Sequence, residues 1–381
     1  MEHPDKSQIG DVDAGHPRVL ILGGGFAGVW AAIAAAQTAA AHARGVQIDL
    51  VSPSDQFVPR PRLYEADPVQ TTLALKEILE PRGIGHIHGR AVAIDQEAQT
   101  VAIIDRDGAE RDLPFDRLVL ATGSQLKRPP IDDTHLHNID TLGAAEALDD
   151  RLAQLHDGAT VVVVGAGFTG IELACELPAR VPSAHIVLLE RADEIAPEMG
   201  PHPRPVIQAA LDELNIDTRT SVTITGYDGT TVELADGSSF QADVVVWTAG
   251  LSASPLAASV STDLDSLGRL RVDQRQRVQD TPAVFAAGDT AAPLDDSGHT
   301  VAQSAQHSMP QGQFAGHNAV ADICGAELRE LSTLPYGTCL DLGAAGAVFT
   351  EGWDRAVKLV GDDAKALKRD INTVWLYPAA V

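Results

Sequence analysis

Residues Val161–Glu176 read VVVVGAGFTGIELACE: four β-branched residues run into a glycine-rich turn, and the turn opens an apolar helix. A short apolar run bounded by such a turn is a buried strand, and Gly165, Gly167 and Gly170 give the turn the spacing GxGxxG. Residues Arg18–Gly28, RVLILGGGFAG, repeat the grammar with Gly23, Gly25 and Gly28. In each copy the first glycine permits the tight turn, the second lets the backbone approach a pyrophosphate, and the third lets helix and strand pack closely. Amide groups at the helix start and the helix dipole then face the phosphates. Two copies in one chain predict two nucleotide-binding domains.

Working outward from the second copy, a helix is expected over 171–179 and a strand over 185–189, ending in Glu190. A carboxylate there holds both ribose hydroxyls of an NADH adenosine and repels a 2′-phosphate. Arg191 beside it leaves NADPH open. A helix over 204–214 follows, then short strands turning at Asp228-Gly229 and Asp236-Gly237, and ADVVVWTAG, ending in Gly250, closes the unit.

The first copy continues as a helix over 29–44 and a strand over 46–51. Its strand ends in Ser52 where an acid is expected, so either Ser52 itself or Asp55 reaching back must meet the ribose. Arg60 and Arg62, set between prolines, fit a phosphate or a flavin's negative charge, and fit an ordinary surface loop equally well. Residues 89–113 alternate and turn at Asp107-Gly108, the pattern of a hairpin or small meander. FDRLVLATG then gives a buried strand ending in Ala121, Thr122 and Gly123, small enough for a cofactor to approach the backbone. Pro129-Pro130 marks a linker. TPAVFAAGD ends in Gly288-Asp289, placed to meet ribityl or pyrophosphate oxygens. Residues 301–321 read as a helix interrupted near Pro310, and beyond Pro335 come strand-like segments at 347–350 and 357–360 and a terminal amphipathic helix over 362–378.

Composition narrows the class. At 381 residues and 44% hydrophobic the chain has room for two or three cored domains. A net charge of −25 argues against nucleic acid and against broad adhesion to anionic membranes. Cys175, Cys324 and Cys339 are far apart with no CxxC pair, which disfavours a disulfide framework or a zinc site and fits a reducing cytoplasm. The acidic first residues lack the basic start and apolar run of a signal peptide, and read as a flexible tail over 1–16. The Ala-rich stretch from Trp30 to Ala43 is too short and too polar to span a bilayer.

The paired GxGxxG turns, ATG at 121–123, TAG at 248–250, AAGD at 286–289 and the AQ-containing helix resemble the flavoproteins with two dinucleotide-binding domains. Within that superfamily GAGFTGIELA and AQSA most resemble the type II NADH:quinone oxidoreductases and their NADH dehydrogenase-like relatives, over about residues 17–325. The resemblance implies an α/β fold with two Rossmann-like domains and a small C-terminal α+β region. It implies an FAD-binding domain at 17–128 and 250–325, an NAD(P)H-binding domain at 129–249 and a C-terminal region at 326–381. FAD would lie against Gly23, Gly25 and Gly28 with Asp289 near its ribityl chain, and NADH would occupy Gly165 to Glu190. Glu172 would sit where nicotinamide, flavin and acceptor meet, with Ala302 and Gln303 lining the acceptor pocket. The usual glutamine pair is here Gln306-His307.

Such a protein passes hydride from NADH to flavin and electrons onward to a quinone or similar small acceptor, chiefly by orienting the rings. Glu172 either complements its helix dipole or relays a proton, and His307 has the same two readings. No cysteine pair exists for disulfide or sulfide chemistry, and Cys175 reads as buried and inert. The alternatives are a ferredoxin- or rubredoxin-type reductase, and a non-catalytic nucleotide sensor kept open by Ser52. Lys365, Lys368 and Arg369 beside Trp375, Leu376 and Tyr377 form either a weak peripheral membrane surface at the inner face or, with Asp362, Asp363 and Asp370 cancelling charge, a helix packed on the protein or on a second subunit of a homodimer.

Overall fold

The computed structural model describes residues 15–332 and 336–379, so the tail expected at 1–16 lies outside them except for its last two residues. Seven α-helices are described: α1 (Phe26–Ala41), α2 (Leu75–Leu79), α3 (Leu142–Leu152), α4 (Phe168–Arg180), α5 (Arg204–Glu213), α6 (Ala305–Cys324) and α7 (Gly361–Asp370).

The apolar run Arg18–Leu22 is buried throughout and is the middle of the five parallel strands of a seven-stranded sheet. In spatial order the strands are Val284–Ala286, Arg117–Leu120, Arg18–Leu22, Gln47–Ser52, Gly85–Asp95, Thr100–Asp105 and Glu110–Pro114. The first five are parallel. The last two fold back as the antiparallel hairpin read from residues 89–113. Burial on both faces explains why the parallel strands are continuously apolar.

The valine run forms the middle of a second, four-stranded parallel sheet ordered Asp217–Arg219, His185–Leu189, Thr160–Val164, Val244–Trp247. Two short segments, Ser124–Leu126 and Leu251–Ala253, pair antiparallel where the chain passes between the two sheets. After α6 the strands Gly337–Asp341, Ala347–Glu351 and Ala356–Val360 make a small antiparallel sheet, followed by α7 and a wider π turn at Ile371–Trp375. The α/β class with two Rossmann-like halves therefore holds.

The sequence reading needs three corrections. Helices α1 and α4 begin at Phe26 and Phe168, straight after their capping glycines, rather than a turn later. Helix α6 runs unbroken through Pro310. Its neighbours Gly312 and Gly316 press so closely on α1 that an added Cβ would stand 2.2 Å from the Ala27 carbonyl oxygen and 2.0 Å from that of Ala31. Packing of this kind overrides a local helix breaker. Finally, Gly337–Asp341 is a strand that its glycine, threonine and cysteine did not advertise.

Candidate nucleotide sites and their junction

Both glycine turns divide their labour in the way their spacing predicts. Gly23 and Gly165 adopt φ +115° and +106°, which side-chain-bearing residues avoid. A Cβ on Gly28 or Gly170 would fall 1.8 Å from the carbonyl oxygen of Gly23 or Gly165, so those glycines admit the helix to the strand. Gly25 faces open space, and Gly167 has only the Glu198 carboxylate at 4.0 Å from its would-be Cβ. Each turn thus presents bare backbone to whatever occupies that space.

At the end of the Val-rich sheet Glu190 is fixed by two amides: Ala166 N–H donates to Oε2 at 2.7 Å and Ala192 N–H to Oε1 at 2.8 Å. Its counterpart Ser52 is buried, accepts from Ser54 N–H at 3.2 Å, and sits 2.7 Å from where a Cβ on Gly24 would stand. Asp55 turns to His88, 2.8 Å away, and to Arg106. The His88 hydrogen bond, with the Arg106 charge beside it, holds the Asp55 carboxyl below its ordinary range.

The first turn is walled by groups brought from far along the chain. Gly288 (φ +73°) abuts Ala27 at the start of α1, and its N–H donates to Gln311 Oε1 at 2.8 Å. Ser124 Oγ donates to Asp289 Oδ2 at 2.6 Å, and Gln303 Nε2 donates to the Asp289 carbonyl at 3.0 Å. Thr122 and Gly123 meet Thr290 through hydroxyl contacts at 3.4 and 3.2 Å. Arg60 donates to the Ser124 carbonyl at 3.0 Å and pairs with Asp140, which anchors Leu126 N–H. The loop arginine is therefore a tie between the first sheet's loop and the paired linkers. Ala121 backs onto Gly23, Gly250 (φ +83°) opens the second linker, and Ala302 precedes Gln303.

Glu172 lies one turn into α4, too deep to serve as a simple dipole cap, and is 7% exposed. Its Oε1 accepts from Lys368 Nζ at 2.7 Å and from Asp341 N–H at 3.1 Å. Burial raises the Glu172 carboxyl against the pull of Lys368. Lys368, itself working against burial, is held charged by Glu172. Around the pair, Tyr64 OH donates to Asp341 Oδ2 at 3.1 Å and Lys365 pairs with Asp341. Of the two readings of the terminal helix, Lys368 follows the one in which it packs on the protein, because α7 turns it inward to meet an acid 196 positions away. Leu376 is likewise buried and Tyr377 is bonded by Arg62, which leaves Val374 and Trp375 exposed.

His307 is buried on α6, with Nδ1 2.9 Å from Ser304 Oγ and its ring stacked on Tyr336 at 5.1 Å. Tyr336 stacks on Trp353 at 4.4 Å, and Trp353 on His299 at 4.8 Å. Burial pushes the His307 imidazole down to about 4, which favours its structural reading. The three cysteines are free; burial raises both the Cys175 and Cys339 thiols, the latter to about 11. No helix among the described residues is long and apolar enough to cross a membrane. No group of three metal-ligating side chains occurs among them.

Two glycine turns of the phosphate-cradle type, each between a parallel strand and a helix, with Glu190 fixed at the strand end beyond the second, give the chain the frame of a two-dinucleotide fold. Residues 17–312 match the pyridine nucleotide-disulphide oxidoreductase family, and the chain belongs to it. It is 40% identical to an NADH dehydrogenase-like protein of Mycobacterium tuberculosis, covering 95% of this chain and 94% of that one. It is 31% identical to the demethylphylloquinone reductase of Synechocystis sp., over 95% and 92% of the two chains. An NDH2 from Plasmodium falciparum, solved with NADH, shares the fold at TM-score 0.77 and 13% identity over 95% of each chain.

The structure adds Asp341, Tyr64, Tyr336, Trp353 and Arg355 to the residues singled out by sequence, and gives Lys368 a partner the sequence did not signal. Their connections are long-range, and no local spacing signals them.

Proposed function

We propose that the protein is an FAD-dependent NADH dehydrogenase that delivers its electrons to a quinone or a similar small acceptor. The observation that carries this reading is the pair of glycine cradles, one with a fixed ribose-reading carboxylate and one without. The open space at Gly25, the positive φ of Gly23 and the anchored Asp289 fit FAD, with Gly23–Gly28 at its pyrophosphate and Gly288-Asp289 at its ribityl chain. When bound, FAD supplies a two-electron carrier between coenzyme and acceptor. The proposed division of the chain follows: 17–128 with 250–325 for FAD, 129–249 for the coenzyme.

The protein's own residues orient and protonate. Glu190, immobilised by two amides, keeps spare lone pairs for the ribose hydroxyls and favours NADH over NADPH. Gln303, tied to the Asp289 carbonyl, faces the acceptor side. Reducing a quinone with NADH consumes one proton besides the transferred hydride. Glu172, whose carboxyl is raised by burial, is assigned to take up that proton and pass it on, with Lys368 fixing its position.

Stopped-flow measurement separates the two halves of turnover. Anaerobic mixing with NADH should bleach a bound flavin, and a following panel of quinones, ferredoxin and oxygen should restore it fastest with a quinone. Glu172→Gln should slow reoxidation by quinone at least tenfold, roughly one lost proton-transfer contribution, while leaving reduction by NADH nearly unchanged. A protein that takes up no FAD, or that is reoxidised fastest by ferredoxin, defeats the proposal in its first or second half respectively.

A further inference from the structure

The turn between Ala347–Glu351 and Ala356–Val360 holds Arg355 at φ +58°, a strained conformation for a residue with a long side chain. The residue is 8% exposed. Its Nη2 donates to Tyr336 OH at 2.7 Å, and its guanidinium lies 4.2 Å from the centre of the Tyr336 ring and 5.7 Å from that of Phe168. The other terminal nitrogen, Nη1, is buried without a hydrogen-bond partner. Among the described residues no carboxylate forms an ion pair with it.

A buried cation with no counter-ion and an unmet donor is costly. Two aromatic faces recover only part of that cost. Phe168 is the first residue of α4, directly after Gly167, and its ring, 5.7 Å from the guanidinium, links the charge to the Gly165–Gly170 turn. Glu198, an exposed carboxylate beside Gly167, adds negative charge at the same turn. Helix amides provide only partial positive charge against it.

We propose that Arg355 is the fixed positive charge that secures the pyrophosphate of the pyridine nucleotide at the Gly165–Gly170 turn. This assignment rests on the reading of that turn as the coenzyme site. The arginine compensates Glu198 and attracts the dinucleotide's phosphates, and the coenzyme in turn relieves the arginine of its missing counter-ion.

Calorimetric titration of the FAD-loaded protein with NAD+, and with ADP-ribose, which keeps the pyrophosphate and lacks the nicotinamide, tests it without turnover. Arg355→Met should raise the Kd of both ligands about tenfold, the effect of losing one charge-assisted contact, and flatten the salt dependence of binding. Arg355→Lys, which keeps the charge, should stay within about threefold, and Tyr336→Phe, which removes only the hydroxyl and keeps both the ring and the charge, within about twofold. If the Met variant does not fold, Arg355→Gln carries the same expectation. Unchanged affinity in the neutral variant, equal losses in the Arg355 and Tyr336 variants, or a loss for NAD+ but not for ADP-ribose each overturn the assignment. Wild-type protein that binds neither ligand removes the coenzyme reading itself.

Discussion

Lys368 and His307 are both basic side chains driven into the interior, and they resolve the conflict in opposite ways. Lys368 keeps its charge because Glu172 lies 2.7 Å away. His307 meets a hydroxyl, an aromatic ring and the Ala302 backbone but no carboxylate at bonding distance, so burial keeps it neutral, with its folded value down from 6.5 to about 4. Between those two values the unfolded chain binds the extra proton, so stability falls as pH drops from 6.5 toward 4, by up to about 3 kcal/mol in that window. His307→Gln should therefore flatten the stability profile between pH 6.5 and 4 in thermal melts, and a profile as steep as the wild type's would show that other groups set it. Glu190 was legible because its role follows from its place at a strand's end. Glu172 was legible as an acid of interest, but its lysine was not, because nothing in the sequence pairs positions 196 apart.

The glycine-turn helices were readable because two constraints coincide in a few consecutive residues: an apolar strand, and glycines at the spacing a phosphate cradle requires. The α1–α6 contact was not, since it joins helices from opposite ends of the chain and depends on the absence of side chains at Gly312 and Gly316. Gly316→Ala would drive a methyl to 2.0 Å from the Ala31 carbonyl oxygen, with backbone on both sides and no flexible group to yield. It should lower stability by about 2 kcal/mol or more, seen as a drop of several degrees in Tm. Gly143→Ala, at the open start of α3, is the control and should stay within about 0.5 kcal/mol of wild type. Equal effects at the two sites would mean that helix propensity, not close approach, governs both.

Across the whole molecule, the last fifty residues serve less as an appendage than as a brace: α7 supplies Lys368 to Glu172 and the hairpin stacks Tyr336 and Trp353 against His307 and His299. Lys368→Met should leave a buried carboxylate unpaired and destabilise by about 3 kcal/mol or more, whereas the double variant Glu172→Gln/Lys368→Met should recover most of the loss. A double variant as unstable as the single one would show that Lys368 matters through packing alone. The sequence allowed that region a helix packed on the protein as well as a membrane or subunit surface, and its inward chemistry became visible only with the tertiary contacts. The paired linkers carry a separate consequence. Because Leu126 stands opposite Leu251 in an antiparallel ladder, the chain leaves the first sheet and returns to it through neighbouring points about 5 Å apart. The two crossings between the sheets are therefore hydrogen-bonded to each other, and neither linker can shift without dragging its neighbour.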